Sequence, residues 1–204
     1  MGFVLVFLIS VIIFGGVRRI AKFTQVVVPF MALGYLVLAL IVIAFNVSAL
    51  PEVFTLIISS AFSIHAGFGA IVGSAIEMGV KRGIYSNEAG QGTAPHAAAA
   101  AEVSHPVKQG LVQAFSVYID TLIVCTATAL MILLTGFYNV GSADGTIIYT
   151  GLSGVEAGPG YVQNVFETII PGFGAILLAI ALFFFAFTTI LAYYYIAETN
   201  IVYL

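Results

Sequence analysis

Charge is what this chain has least of. Only 7% of its 204 residues are Asp, Glu, Lys or Arg, against about 25% in an ordinary soluble domain. Hydrophobic residues make up 61%, and the mean hydropathy is +1.14. No soluble fold hides that much apolar surface in a chain of this size, so soluble enzymes and binding modules are excluded. Six basic residues and a net charge of −3 leave neither an electrostatic footprint for nucleic acid nor an acidic tail. The single cysteine, Cys125, excludes an internal disulfide and, inside an apolar stretch, reads as a small core residue. No positive residue precedes the first apolar run, and Arg18, Arg19 and Lys22 follow it, the reverse of a cleaved secretory signal.

What is present is long apolar runs. A membrane span needs about 20 predominantly apolar residues, and apolar length with its punctuation predicts five spans, over residues 1–16, 26–47, 56–78, 107–135 and 169–204. The first is short, as expected of a tilted entry helix or the remnant of a helix truncated upstream. All six basic residues fall in two connections: Arg18, Arg19 and Lys22 in the first, and Lys81, Arg82 and Lys108 in or beside the third. By the positive-inside rule these connections face the cytoplasm, which places Glu52, Asp144 and Glu156 outside. The third connection contains an alanine tract, 97–101, expected to be a short helix at the membrane surface or in an inner vestibule. The external connection, 136–163, is rich in glycine and polar residues and reads as irregular loop.

Polar atoms inside the spans are where chemistry can reside. The third span contains AFSIHAGFGAIVGSA, a poor helix in its middle, because each glycine costs about 1 kcal/mol there. One reading is an unwound segment that offers backbone groups and helix ends to a solute and a coupling ion. The other is close helix packing through the Gly69 and Gly73 pair. Phe62 and Phe68 could wall a small apolar pocket, or simply meet lipid and core, and His65 alone reads first as a hydrogen-bonded structural histidine.

In the fourth span Asp120 lies about 13 residues from the helix start, roughly 20 Å deep. Gln109, Gln113, Ser116 and Asp120 recur at helical spacing and form one polar stripe that must face protein or water. Asp120 is therefore either functional, directly or through gating, or a carboxylate that holds the bundle together. No second deep acid completes an aspartyl dyad, and no base is recognisable beside a serine, so an intramembrane hydrolase is disfavoured. In the fifth span Thr188 and Thr189 could give a small cation hard oxygen ligands, or could bond back to their own helix. Glu198, near the cytoplasmic end, could pair with a cytoplasmic arginine or lysine as part of an inner gate, or be a solvated helix end.

The text GVKRGIYSNEAGQGTAPHAAAAAEVSHPVKQGLVQAFSVYIDTLIVCTATALMILLTG, with FAFTTILAYYYIAETN and RRIAKFTQVVVPFMA, resembles the alanine/glycine:cation symporter family over nearly the whole chain. The resemblance implies an all-α integral membrane protein and part of a ten-helix inverted-repeat, leucine-transporter-like fold, running from the end of core helix four through core helix eight. It implies a cytoplasmic-membrane location and sodium-coupled symport of alanine or glycine. It also implies that Phe62, Ala66, Gly67, Phe68 and Gly69 on the broken sixth core helix hold the substrate. The Phe185 carbonyl, Thr188 and Thr189 would hold Na+, with Gln113, Asp120 and Glu198 in the gating network. Core helices one to three, nine and ten have no counterpart in the chain. The expected partners are therefore those missing helices, the amino acid and the lipid bilayer, and the alternative is a fragment that associates with other membrane helices without transporting.

Overall fold

The computed structural model describes residues 2–61, 79–88, 90–141 and 147–203. Residues Phe62, Ala66, Gly67, Phe68 and Gly69, the expected substrate segment, lie outside the described residues. Among those described, three helices are long and apolar enough to cross a membrane, Arg18–Phe45, Pro106–Thr135 and Gly174–Tyr203, and Val47–Ala61 contains a shorter apolar helix.

Helix α1 (Gly2–Ile13) turns through Gly16, at φ +70°, into α2 (Gly16–Phe45). The basic residues do not form a separate loop: Arg18, Arg19 and Lys22 occupy the first turns of α2. Arginine and lysine are good helix formers, and the break behind them uses one of them. The last carbonyls of a helix lack intrahelical donors, and Arg19 Nη1 donates to Val11 O at 2.9 Å.

A 3₁₀ turn, Val47–Ala49, leads into α3 (Leu50–Ala61). Among the described residues that follow, 79–87 are helical, named α4, as is α5 (Thr93–Ala99). The helix expected at the alanine tract thus starts earlier, at Thr93, and ends at Ala99. Helix α6 (Pro106–Tyr118) opens on Pro106 at its first turn, with the His105 ring accepting from Val107 N at 3.2 Å. It runs through a π-helical segment, Ile119–Cys125, into α7 (Thr126–Thr135).

The described part of the 136–163 connection is structured, in contrast to the irregular loop read from its composition. Strands β1 (Asn139–Gly141) and β2 (Ile147–Thr150) pair antiparallel, with Asn139 opposite Thr150 and Val140 opposite Tyr149. The rings of Tyr138 and Tyr149 lie 4.7 Å apart. The Asn139 side chain accepts from Leu152 N at 2.9 Å and donates to Leu152 O at 2.7 Å. Helix α8 (Pro159–Ile169) follows and buries Tyr161, Val162, Val165 and Phe166, one face at helical spacing. The final helix, α9 (Gly174–Tyr203), starts five residues later than the fifth span expected from the sequence. Its first turn is capped by Glu167, whose carboxylate accepts from Gly174 N at 2.8 Å and also from Gly172 N, an anion at the positive end of a helix dipole.

Two apolar clusters hold these elements. One joins Ala39 and Val42 of α2, Ala127 and Met131 of α7, Val162, Val165 and Phe166 of α8, and Leu178 of α9. The other joins Ile20 to Phe187 and Leu191 of α9, with Ile9, Ile12 and Phe23 packed against them.

Candidate functional site

The π segment is the first irregularity that organises polar groups. A π turn is rare and occurs mostly as a single widened turn at functional positions. It begins one residue before Asp120 and ends at Cys125. Thr126 Oγ1 donates to Thr121 O at 3.1 Å, and Thr128 Oγ1 to Val124 O at 3.0 Å. The Tyr35 and Thr128 hydroxyls meet at 2.8 Å and tie α7 to α2.

At the start of the π segment, two residues from the end of α4 reach across. Ser86 Oγ donates to Asp120 Oδ2 at 2.6 Å. Asn87 Nδ2 donates to Thr121 Oγ1 and to Gly83 O, each at 2.9 Å. Cys125, read from the sequence as a core residue, is instead exposed, with Sγ 3.5 Å from Ser86 Oγ. Widening the turn brings this end of it to the polar terminus of α4, so the cysteine follows Asp120 and not the apolar core.

Gln113 and Ser116, from the same stripe as Asp120, line a cavity of about 430 Å³ with Asn87, Glu88, Gly90 and Gly92. Two members of the stripe thus face other parts of the chain, and they meet different partners: Asp120 meets α4, and Gln113 faces the turn after it, while Ser116 is exposed. That turn is built from left-handed backbone, with Glu88 at φ +52°, Gly90 at +79° and Gly92 at +82°. The Glu88 carboxylate accepts from Tyr193 Oη at 2.9 Å and from the Thr93 hydroxyl.

In α9, the Phe185 carbonyl accepts from Thr189 Oγ1 at 2.8 Å and from Thr188 Oγ1 at 3.1 Å, and Thr188 also reaches Phe184 O at 2.9 Å. Phe185, Thr188 and Thr189 thus gather three oxygens on one turn of a spanning helix. Each hydroxyl gives its one proton to a carbonyl, which leaves its lone pairs for a cation. Thr188 is buried and Thr189 exposed. Glu198 is half-buried, its Oε2 has no hydrogen-bond partner, and among the described residues it forms no ion pair.

Sequence reasoning missed Ser86, Asn87, Glu88, Thr121 and Tyr193. The available signal was the SNEAGQG text itself, in which an Asn-Glu pair precedes two glycines that can take positive φ.

Three helices long and apolar enough to span a bilayer, one of them with a carboxylate on its widened turn, define a multi-pass membrane protein. The chain belongs to the sodium:alanine symporter family, whose model matches residues 1–204. The protein YrbD of Bacillus subtilis (strain 168) is 68% identical over 200 residues, covering 98% of this chain and 41% of that protein. The sodium/proton-dependent alanine carrier protein of Bacillus sp. (strain PS3) is 61% identical over 203 residues, covering 98% and 46% respectively. The sodium/alanine symporter AgcS of Methanococcus maripaludis is 41% identical over 203 residues, covering 100% and 42%. The chain thus spans less than half the length of these relatives. No solved structure matches it significantly.

Proposed function

We propose that these helices form the central part of a Na+-coupled symporter of alanine, with glycine as a second substrate, in the cytoplasmic membrane. The observation that carries this reading is the grouping of the Phe185 carbonyl with the Thr188 and Thr189 hydroxyls on one turn of α9. It is a set of hard oxygens in a helix with no other polar side chain before Tyr193, within a family of sodium:alanine symporters. In the ten-helix inverted-repeat arrangement, α1 is the end of core helix four, α2 is five, α3 and α4 flank the break in six, α6 to α7 is seven and α9 is eight. Residues Phe62, Ala66, Gly67, Phe68 and Gly69 then hold the amino acid, and Na+ sits on the three oxygens of α9. Gln113, Asp120 and Glu198 belong to the network that changes between outward and inward states. The cation moves down its gradient and the amino acid moves with it, by alternating access about a site near the bilayer midplane.

The test is uptake of labelled alanine and glycine, driven by a sodium gradient, into liposomes containing the full-length protein. The expected result is accumulation of alanine that collapses when the sodium gradient is dissipated. Accumulation that is indifferent to sodium sinks the cation assignment. Absence of uptake of either amino acid by a correctly inserted full-length protein sinks the substrate assignment.

A further inference from the structure

The consecutive residues Ser86, Asn87 and Glu88 each hold a different partner. Ser86 bonds Asp120 and Asn87 bonds Thr121, both at the π segment, whereas Glu88 turns the other way and accepts from Tyr193 of α9. Two further contacts continue along the same seam. Tyr195 Oη donates to His96 O at 3.2 Å, and the Asn200 side-chain amide nitrogen lies 3.1 Å from His96 Nε2. Small residues fill the space between, since Ala97 and Ala100 line one cavity with Ala192, Tyr195 and Ile196.

The character of this seam differs from the rest of α9. Helix α9 is fixed to α2, α7, α8 and the α1–α2 corner through buried Leu178, Phe187 and Leu191. Among the described residues, none between 79 and 125 is a buried apolar residue. Among the described residues, the 79–125 segment therefore offers α9 polar groups and alanines but no buried apolar side chain. Directional hydrogen bonds can be exchanged for water at small net cost, whereas separating a packed apolar face cannot. Tyr193 is the twentieth residue of α9, about 28 Å along the helix at 1.5 Å per residue. It therefore lies two-thirds of the way along the helix, past the buried Phe187 and Leu191.

We propose that Glu88 is a positioning residue of the transport cycle. Its carboxylate latches the 88–99 segment to the C-terminal half of α9 through Tyr193. When that bond opens, the Ser86–Asp120 and Asn87–Thr121 bonds move α4 and the π segment together with the released loop. This role rests on the transporter reading above, but its test does not use transport.

The test is amide hydrogen exchange on the full-length protein in lipid nanodiscs, without substrate, comparing the unmodified protein, Tyr193→Phe, Glu88→Ala and the double variant. Tyr193→Phe keeps the ring and removes only the donor. It is expected to speed exchange over 88–99 about tenfold, the size of one lost hydrogen bond to a charged group, with α8 unchanged. Glu88→Ala is expected to do at least as much, and Tyr193→Phe to add nothing further in its presence. Unchanged exchange over 88–99 in Tyr193→Phe overturns the proposal. So does a full Tyr193→Phe effect that persists in the Glu88→Ala background, or an equal loss of protection in α8. Failure of the uptake assay with this exchange pattern intact would instead count against the transport reading alone.

Discussion

Ser86 and Asp120, 34 residues apart in sequence, meet at 2.6 Å, with the hydroxyl at the end of α4 donating to the carboxylate in the first turn of the π segment. A hydrogen bond to a charged group contributes about 1.5–3 kcal/mol, and the exposure of Ser86 pulls this pair toward the low end. Ser86→Ala is expected to lower stability by about 1.5 kcal/mol in a detergent thermal unfolding assay. The same substitution made on top of Asp120→Ala should change little. Equal effects of Ser86→Ala in both backgrounds would show that the two groups are not coupled.

Thr188→Val is close in shape to threonine and lacks only the hydroxyl oxygen. Because the hydroxyl bonds its own helix, α9 should persist, and the expected loss is in sodium affinity, about tenfold in the sodium concentration for half-maximal uptake. Thr188→Ser should retain sodium dependence. The double change Thr188→Ala, Thr189→Ala is expected to abolish it, and sodium-driven uptake that survives this double change would dismiss the site.

Phe166 is 1% exposed, and Met131 is fully buried beside it in the cluster of α2, α7, α8 and α9. Phe166 also meets the Tyr35 ring edge-on at 6.2 Å. Truncation of a buried phenylalanine removes its transfer free energy and leaves a cavity, so Phe166→Ala is expected to cost about 3–5 kcal/mol. Thermal unfolding followed by fluorescence size exclusion should record a large fall in midpoint. A shift no larger than that of an exposed site such as Val202→Ala would mean that α8 is not part of the core.

Gly174 sits where α9 begins against α8, and a Cβ there would stand 2.7 Å from Glu167 N and 2.8 Å from Gln163 O. Backbone atoms cannot swing aside as a flexible side chain can. Gly174→Ala should therefore disturb the α8–α9 corner and the Glu167 cap together, and Glu167→Ala should cost about 1 kcal/mol by itself through loss of the cap. Comparing the two unfolding midpoints checks this: Gly174→Ala should be the more damaging, and a neutral result would refute the close approach.

The long helices were legible because a bilayer demands one property, unbroken apolar length, and α2, α6 to α7 and α9 have it. The start of α2 was not, because the rule that sorts arginine and lysine to one side of the membrane says nothing about whether Arg18 and Arg19 are helical. Helix α8 was hidden for a different reason: Tyr161, Val162, Val165 and Phe166 form an apolar face too short for a span, set among glycine, proline and polar residues that signal a loop. Of the site, Asp120 and the Thr188–Thr189 pair stood out as polar atoms in apolar helices. Glu88 lay in polar text where a carboxylate attracts no notice, and its partner Tyr193 is one of three consecutive tyrosines. Only the fold brings together residues separated by 105 positions.

The π segment gives the helix that contains it two independent phases. A widened turn takes up one residue more than an α turn, so relative to a regular helix everything after it is set back by about 100°. Gln113 on α6 and Met131 on α7 therefore cannot be placed on a single helical wheel, and each half answers to its own neighbours. Deleting one residue between Ile119 and Cys125 would restore a regular helix with Ala127 and Met131 still facing the cluster they share with α2 and α8, whereas straightening the segment at its present length would turn them about 100° away. The extra residue therefore serves the polar contacts of Asp120 and Thr121 with α4, while the apolar packing of α7 is indifferent to it.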